Sequence, residues 1–405
     1  YFSLSSYTQA RYGGAYNIMY RAIDTYNPAT GTFLLENTEA ARLAFLRKYE
    51  YANTDWFKTL FRPSLTQNHT LSLSGGSENA TIYSSLGFFV DPGWTIADKV
   101  HRVTGNLKTS YTLSPKVKIG GLAQGSIRNQ KAPGTFSRSA NVVTGEYDRN
   151  FDINPFGYAM NTTRALRPYD DEGNYDYYRM NFAPMNILKE LKNNYMDLKM
   201  LEYKLQGDLE VKFTPELKYK FLGSVRYVKS TNEHSMTEES NVVGAYRANE
   251  TMVIAEKNPF LYKDPNNPGA LPQVVLPNGG IYKLTQNNLE SYYLRNALEY
   301  NKTLKDADMQ DVHDFKVFLG QEFRYTDRDN QYFEGYGYQF NRGGVVFTDP
   351  LVLQKVVDDN SQYFGNNLSR ERGVAFFSQG SYGYRNRYVL AGTLNYEGTN
   401  QLGRS

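Results

Sequence analysis

The chain has 405 residues, 45 Lys plus Arg against 42 Asp plus Glu, a formal charge of +3 and no cysteine; near-balanced charge argues against a nucleic-acid polyanion as partner, and zero cysteine excludes a disulfide scaffold, Cys-ligated zinc and thiol catalysis. With 35 Tyr, 23 Phe and 33 Gly the composition is β-type, and no apolar run exceeds four residues, Val374 to Phe377 being one of them. A spanning helix of roughly 18 apolar residues is therefore excluded, whereas a membrane β-barrel is compatible with a mean hydropathy of −0.60, because its strands are apolar only at alternate positions.

In chain order, Phe2 to Tyr7 reads as a strand fragment, followed by a long connection over 8–65. That connection holds a helix capped by Asn37 or Thr38, with Glu39 in its first turn and Leu43, Phe45, Leu46 and Tyr49 as apolar surface. A second short helix is expected near Asp55 to Leu60, stopped by Pro63. Nothing else reads as a helix of any length. Strands follow at about 66–75, 80–90, 100–112 and 116–128, then at 201–213 and 217–227, and finally at 290–304, 312–326, 371–384 and 387–398. With the fragment they make roughly eleven.

The alternation is cleanest between Leu201 and Phe213. Leu201, Tyr203, Leu205, Gly207, Leu209, Val211 and Phe213 fall on one face, and Glu202, Lys204, Gln206, Asp208, Glu210 and Lys212 on the other. After Thr214-Pro215-Glu216 the pattern repeats through Leu217, Tyr219, Phe221, Gly223, Val225 and Tyr227, so the two strands read as a hairpin.

Connections alternate between short and long. The short ones are Gly76 to Asn79, Ser114-Pro115, Thr214 to Glu216, Lys305 to Asp311 and Arg385-Asn386; the long ones are about 8–65, 91–99, 129–194, 230–289 and 327–370. In an up-and-down meander every second connection lies at the same end, so all tight turns share one rim and all large loops the other. That is the asymmetry of an outer-membrane barrel, and loops of this size are functional as a rule. The fold class expected is all-β: an antiparallel up-and-down transmembrane β-barrel with short periplasmic turns and long extracellular loops.

Specific strings then point to a family. Asn53-Thr54-Asp55-Trp56-Phe57, followed by Thr66-Gln67-Asn68-His69-Thr70-Leu71-Ser72-Leu73-Ser74-Gly75-Gly76-Ser77-Glu78, resembles the start of the barrel in SusC/RagA-type TonB-dependent transporters. The likeness continues in Tyr83-Ser84-Ser85-Leu86-Gly87-Phe88-Phe89, Lys118-Ile119-Gly120 and Leu166-Arg167-Pro168-Tyr169-Asp170-Asp171-Glu172-Gly173-Asn174. It is looser at Leu394 to Gly403, where Asn395 and Glu397 replace the family's arginine and aspartate.

The resemblance implies that residues 1–405 are part of a 22-stranded barrel, its N-terminal half, with the signal peptide, N-terminal domain, plug and C-terminal strands absent. It further implies active import of oligomeric nutrient, oligosaccharide before oligopeptide. The implied partners are a SusD/RagB-like surface lipoprotein as a hinged lid, the TonB–ExbB–ExbD complex acting through the missing N-terminal segments, outer-membrane lipid, and a second transporter–lipoprotein pair forming a dimer. A non-transporting surface barrel, an adhesin or scaffold, is the rival reading.

Candidate sites are few. His69, His101, His234 and His313 lack metal-ligand spacing, and there is no Gly-x-Ser-x-Gly elbow or phosphate-binding loop, so no enzyme activity and no resident cofactor are expected. Asp170-Asp171-Glu172-Gly173-Asn174 offers carboxylates for calcium in an extracellular loop, but its spacing lacks the alternating ligands of a calcium loop, so a turn is the favoured reading. Tyr169, Tyr175, Tyr177 and Tyr178 beside Arg167, Asp170 and Asn174 form the candidate binding group, because tyrosine faces with Arg, Asn and Asp partners suit sugar rings and hydroxyls, or peptide amides.

Overall fold

Ten strands carry the architecture: β1 (Gln67–Gly76), β2 (Ala80–Asp91), β3 (Lys99–Ser114), β4 (Val117–Pro133), β5 (Asn194–Lys212), β6 (Leu217–Met236), β7 (Gly280–Lys305), β8 (Asp311–Gln339), β9 (Phe364–Tyr384) and β10 (Tyr388–Thr399). The computed structural model describes residues 14–27, 30–134, 137–140, 147–150, 153–305, 311–359, 361–385 and 387–402. The strand expected at Phe2 to Tyr7 lies outside them. Each strand pairs antiparallel with its sequence neighbour, giving one meander from β1 to β10, with the two-residue strand Val345–Val346 added beside β8.

Register explains why the sheet holds one orientation towards its surroundings. Leu107, Ala123, Leu205, Val225, Tyr292 and Tyr325 lie side by side across β3 to β8. One residue along each strand the row becomes Lys108, Leu122, Gln206, Ser224, Tyr293 and Arg324. A slip of one residue would exchange the two faces, so the apolar band fixes the pairing. The apolar face stays uncovered: Leu71, Leu86, Leu205 and Leu394 are 75, 59, 55 and 71 % exposed, as a lipid-facing wall requires. The opposite face carries ion pairs, among them Arg226–Glu202 at 2.8 Å, Lys220–Glu299 at 2.7 Å, and Arg324, which meets Glu322 at 2.8 Å and Glu397 at 3.0 Å.

The strands lengthen from 10 residues in β1 to 29 in β8, then shorten to 12 in β10. The links at 77–79, 115–116, 213–216 and 385–387 are all short and share one rim, so the difference in length appears at the other. β7 begins at Gly280 rather than near 290, and β8 ends at Gln339 rather than near 326. In the added stretches, Gln286-Asn287-Asn288 opposite Asp329-Asn330-Gln331, both faces are polar, so the period-two signal vanishes while the backbone ladder continues.

Buried apolar side chains gather at the long-loop rim rather than along the sheet. One cluster joins Trp56, Leu60, Ile153, Tyr158, Leu166, Tyr178, Met185, Ile187 and Leu191; another joins Ala183, Met236, Val242, Val243, Tyr246, Val275, Leu276, Ile281 and Val352. These cores order loops that would otherwise pay the full entropic cost of their length.

The loops hold eight α-helices among the described residues: α1 (Ala15–Asp24), α2 (Glu39–Arg47), α3 (Trp56–Leu60), α4 (Pro155–Asn161), α5 (Ile187–Asn193), α6 (Asn241–Arg247), α7 (Met252–Lys257) and α8 (Pro350–Asp358). The expected α2 and α3 are present, capped by the Thr38 hydroxyl on the Ala41 N–H and the Asp55 carboxylate on the Lys58 N–H. The expectation of no further helix is corrected by the other six. Asn154, Asn186, Ser240, Thr251 and Asp349 each cap one through the side chain, supplying acceptors for otherwise orphaned N–H groups. No helix among the described residues is long and apolar enough to cross a membrane.

Candidate functional site in the long-loop layer

The string Arg167 to Tyr178 folds back on itself because Asp170 builds a turn. Its Oδ1 accepts the N–H groups of Glu172 (2.9 Å) and Asn174 (2.8 Å), and Gly173 takes φ +86°, a left-handed conformation that suits glycine. Desolvation, the largest single effect, pushes the Asp170 carboxyl up, and these donors together outweigh it and hold the group below its usual range. The turn brings Tyr169 opposite Tyr175 in a bridge, with rings stacked at 5.5 Å, and Tyr177 meets Tyr175 edge-on at 6.4 Å. The Lys192 ammonium donates to the Tyr175 hydroxyl at 2.6 Å, and that of Lys189 lies 5.4 Å from the Tyr177 ring centre.

Arg167 anchors the turn from below. It reaches Asp171 at 2.7 Å and Asp176 at 3.3 Å, and its guanidinium lies 5.1 Å from the Tyr49 ring centre. The Tyr49 hydroxyl donates to the second Asp176 oxygen at 3.3 Å, tying α2's end to this loop. Burial raises the Asp176 carboxyl above its ordinary value, with the Arg167 charge opposing.

The seven candidate residues therefore separate into three groups. Tyr169, Tyr175 and Tyr177 form a tyrosine surface, of which Tyr169 is 45 % and Tyr177 38 % exposed. Arg167, Asp170 and Asn174 shape the loop that carries it. Tyr178 turns inward: it is 6 % exposed and its hydroxyl donates to that of Tyr158 at 3.2 Å, which places it in the core. Among the described residues no three His, Asp or Glu side chains converge as a metal site, and the Asp170 carboxylate faces backbone N–H groups.

A buried polar chain next to this surface had no signal in the sequence. His234 Nε2 lies 2.6 Å from Asn194 Oδ1; the Asn194 amide donates to Glu190 Oε1 at 3.0 Å, and Glu190 Oε2 accepts the Asn241 N–H at 2.7 Å. Asn241 in turn donates to the carbonyls of Met180, Ala183 and Pro184. All four residues are at most 5 % exposed. The chain joins α5, the tops of β5 and β6 and the start of α6, so the loops 134–193 and 237–279 are locked together. Burial raises the Glu190 carboxyl to about 7 although two donors favour its ionised form, and burial together with the Lys283 charge lowers the His234 imidazole to about 4.

A cavity of about 640 Å³ opens where the hairpin Tyr178–Met180/Ala183–Met185, α7 and the segment Thr25–Tyr26 meet. Tyr26, Phe182, Val253 and Ile254 line its apolar side, and Arg179, paired with Glu250 at 3.4 Å, its polar side.

No family model matches the chain. It is 33 % identical over 70 residues to TonB-dependent receptor P26 of Formosa agariphila, a match covering 17 % of this chain and 7 % of that receptor. It is 26 % identical over 148 residues to TonB-dependent receptor P3 of the same organism, covering 32 % and 15 %. Among solved structures, the RagAB peptide transporter superposes with a TM-score of 0.61 at 16 % identity over 91 % of this chain and 36 % of that one, and its closed-closed state gives 0.60 at 18 % identity over 87 % and 34 %. The chain thus spans about a third of the length of these neighbours. Its uncovered apolar band, its sorted connections and these likenesses together make it part of a bacterial outer-membrane β-barrel, similar in fold to the RagAB transporter and, over part of its sequence, to TonB-dependent receptors.

Proposed function

We propose that the protein imports an oligomeric nutrient across the outer membrane in a TonB-dependent manner, with a SusD-like surface lipoprotein closing over the long-loop layer. A polar-lined wall projecting above an apolar band, crowned by ordered loops, is what a capture chamber needs. Energy would reach it through the TonB–ExbB–ExbD complex and a plug, and two transporter–lipoprotein pairs would assemble as a dimer. Oligosaccharide is the substrate class we favour. The observation that carries this choice is the Tyr169–Tyr175–Tyr177 surface with its flanking ammonium groups, since tyrosine faces stack on sugar C–H faces while Lys192 and Asn174 offer donors to hydroxyls. Oligopeptide is the second reading, favoured by the cavity beside Phe182, whose Arg179–Glu250 pair offers a partner for each end of a zwitterion.

The test is uptake of labelled oligosaccharides and oligopeptides by cells expressing the protein with its lipoprotein. Tyr169→Ala/Tyr175→Ala should lower oligosaccharide uptake about tenfold or more, the loss of one to two stacking contacts, and removing TonB should abolish it. Unchanged uptake without TonB would leave a passive or non-transporting barrel. Loss of peptide uptake alone would establish the second reading.

A further inference from the structure

We propose that the outer wall of β3 to β6, immediately above the apolar band, is a docking surface for the phosphorylated headgroup of an outer-leaflet lipid, held between Lys99 and Lys131. The register places these residues. Val103, Ile127 and Leu201 form the last apolar row on β3, β4 and β5. Two residues further along each strand the same face carries His101, Asn129 and Lys199, and two further still Lys99, Lys131 and Asp197. On β6, Lys229 sits level with Leu201. Four residues of strand rise about 13 Å along its own axis and about 10 Å along the barrel axis once tilt is allowed for, so Lys99 and Lys131 stand at headgroup depth above the hydrocarbon.

Lys99 and Lys131 are direct cross-strand partners. Like charges in that position repel, with Cβ atoms about 5 Å apart, and the one carboxylate in register with them, Asp197, forms no ion pair with either. Asp197 is opposite Lys131 on the next strand, yet the Lys131 ammonium rests on the Tyr195 ring, 3.9 Å from its centre. The other acid nearby, Glu233, is taken by Lys199 at 2.6 Å and by the Tyr282 hydroxyl at 3.0 Å. Both lysines are exposed, and among the described residues neither has an acidic group within ion-pair distance. A phosphate between them would turn the repulsion into two charge-assisted contacts, with the Asn129 amide and His101 ring within the same patch.

The occupant is a lipid rather than a free anion because the patch faces sideways, continuous with the wall that meets the bilayer. The stacked Tyr203–Tyr227 pair, 5.2 Å apart, lies one row below Leu201 and Lys229, where interfacial aromatics sit. Basic groups just outside such a row are what anionic headgroups select.

The experiment is native mass spectrometry of the full chain purified from outer membranes in detergent and offered a phosphorylated outer-leaflet glycolipid or its dephosphorylated form. The wild type should retain the phosphorylated lipid about tenfold better, and Lys99→Gln/Lys131→Gln should remove that preference. Equal retention of both lipids, or a preference that survives the double variant, would overturn the proposal. Complete displacement by inorganic phosphate would overturn its assignment to a lipid. If the double variant fails to fold, judged by loss of heat-modifiable electrophoretic mobility, the wild-type lipid comparison and Lys99→Gln alone decide the question.

Discussion

Glu190 and His234 sit in one hydrogen-bonded chain but respond to pH in opposite directions. Folded Glu190 holds its proton up to about 7 against an ordinary 4.5, so the stability it contributes is complete below 4.5 and is lost as pH rises through 7. Folded His234 titrates at about 4 against an ordinary 6.5, so its contribution is complete above 6.5 and is lost as pH falls through 4. Between 4.5 and 6.5 the two slopes cancel, and the junction of the loops 134–193 and 237–279 should be nearly indifferent to pH. Single variants should unmask each slope, about 1.4 kcal/mol per pH unit. In His234→Gln the junction should weaken as pH rises from 4.5 to 7, and in Glu190→Gln it should strengthen from 4 to 6.5. Hydrogen exchange of residues 187–194 and 237–247, corrected for intrinsic rates, reads both; identical profiles in the two variants would refute the opposition. None of this was legible in the sequence, where His234 is one of four scattered histidines and Glu190 one of 42 acids. The tyrosine string was legible because its members are adjacent. What could not be read was which ring turns inward, since the turn that separates Tyr175 and Tyr177 from Tyr178 depends on hydrogen bonds at Asp170.

At the scale of elements, the lower halves of all ten strands were readable from alternation, because there one face meets lipid and the other does not. The upper halves of β7 and β8 were not, because water lies on both sides and hydropathy carries no period. The six unforeseen helices have 6 to 10 residues, too few turns for a periodic stripe, and most announce themselves only through a single capping side chain. The hairpin Tyr178–Met180/Ala183–Met185 is another element that propensity argues against. Its two loop residues, Asn181 and Phe182, take φ of 49° and 69°, the geometry of a type I′ turn. Asn tolerates it; Phe pays about 1–2 kcal/mol. Phe182→Gly should therefore stabilise the hairpin by about 1 kcal/mol while enlarging the cavity that Phe182 lines. Amide protection over 178–185 checks this: slower exchange supports stored strain, and faster exchange means that the ring's packing outweighs it.

For the whole molecule, the apolar band is the feature that commits the chain to a bilayer, and it can be tested at one of its exposed leucines. Leu205 lies mid-band and 55 % exposed, with Gln206 on the opposite face. Leu205→Arg should cost about 2–4 kcal/mol in membrane, the price of a charge at mid-depth, whereas Gln206→Arg should fold nearly as well as wild type. Heat-modifiable mobility after refolding into lipid vesicles, titrated with urea, compares them; equal midpoints would mean that this face does not meet hydrocarbon. Because the short turns share one level, strands that grow from 10 residues in β1 to 29 in β8 make the opposite rim climb from β1 towards β8. A flat cap laid across such a rim touches the high side first and leaves a wedge-shaped gap over the low one. The same slope that sets strand length would thus make the β1 side the more open flank of this stretch of rim.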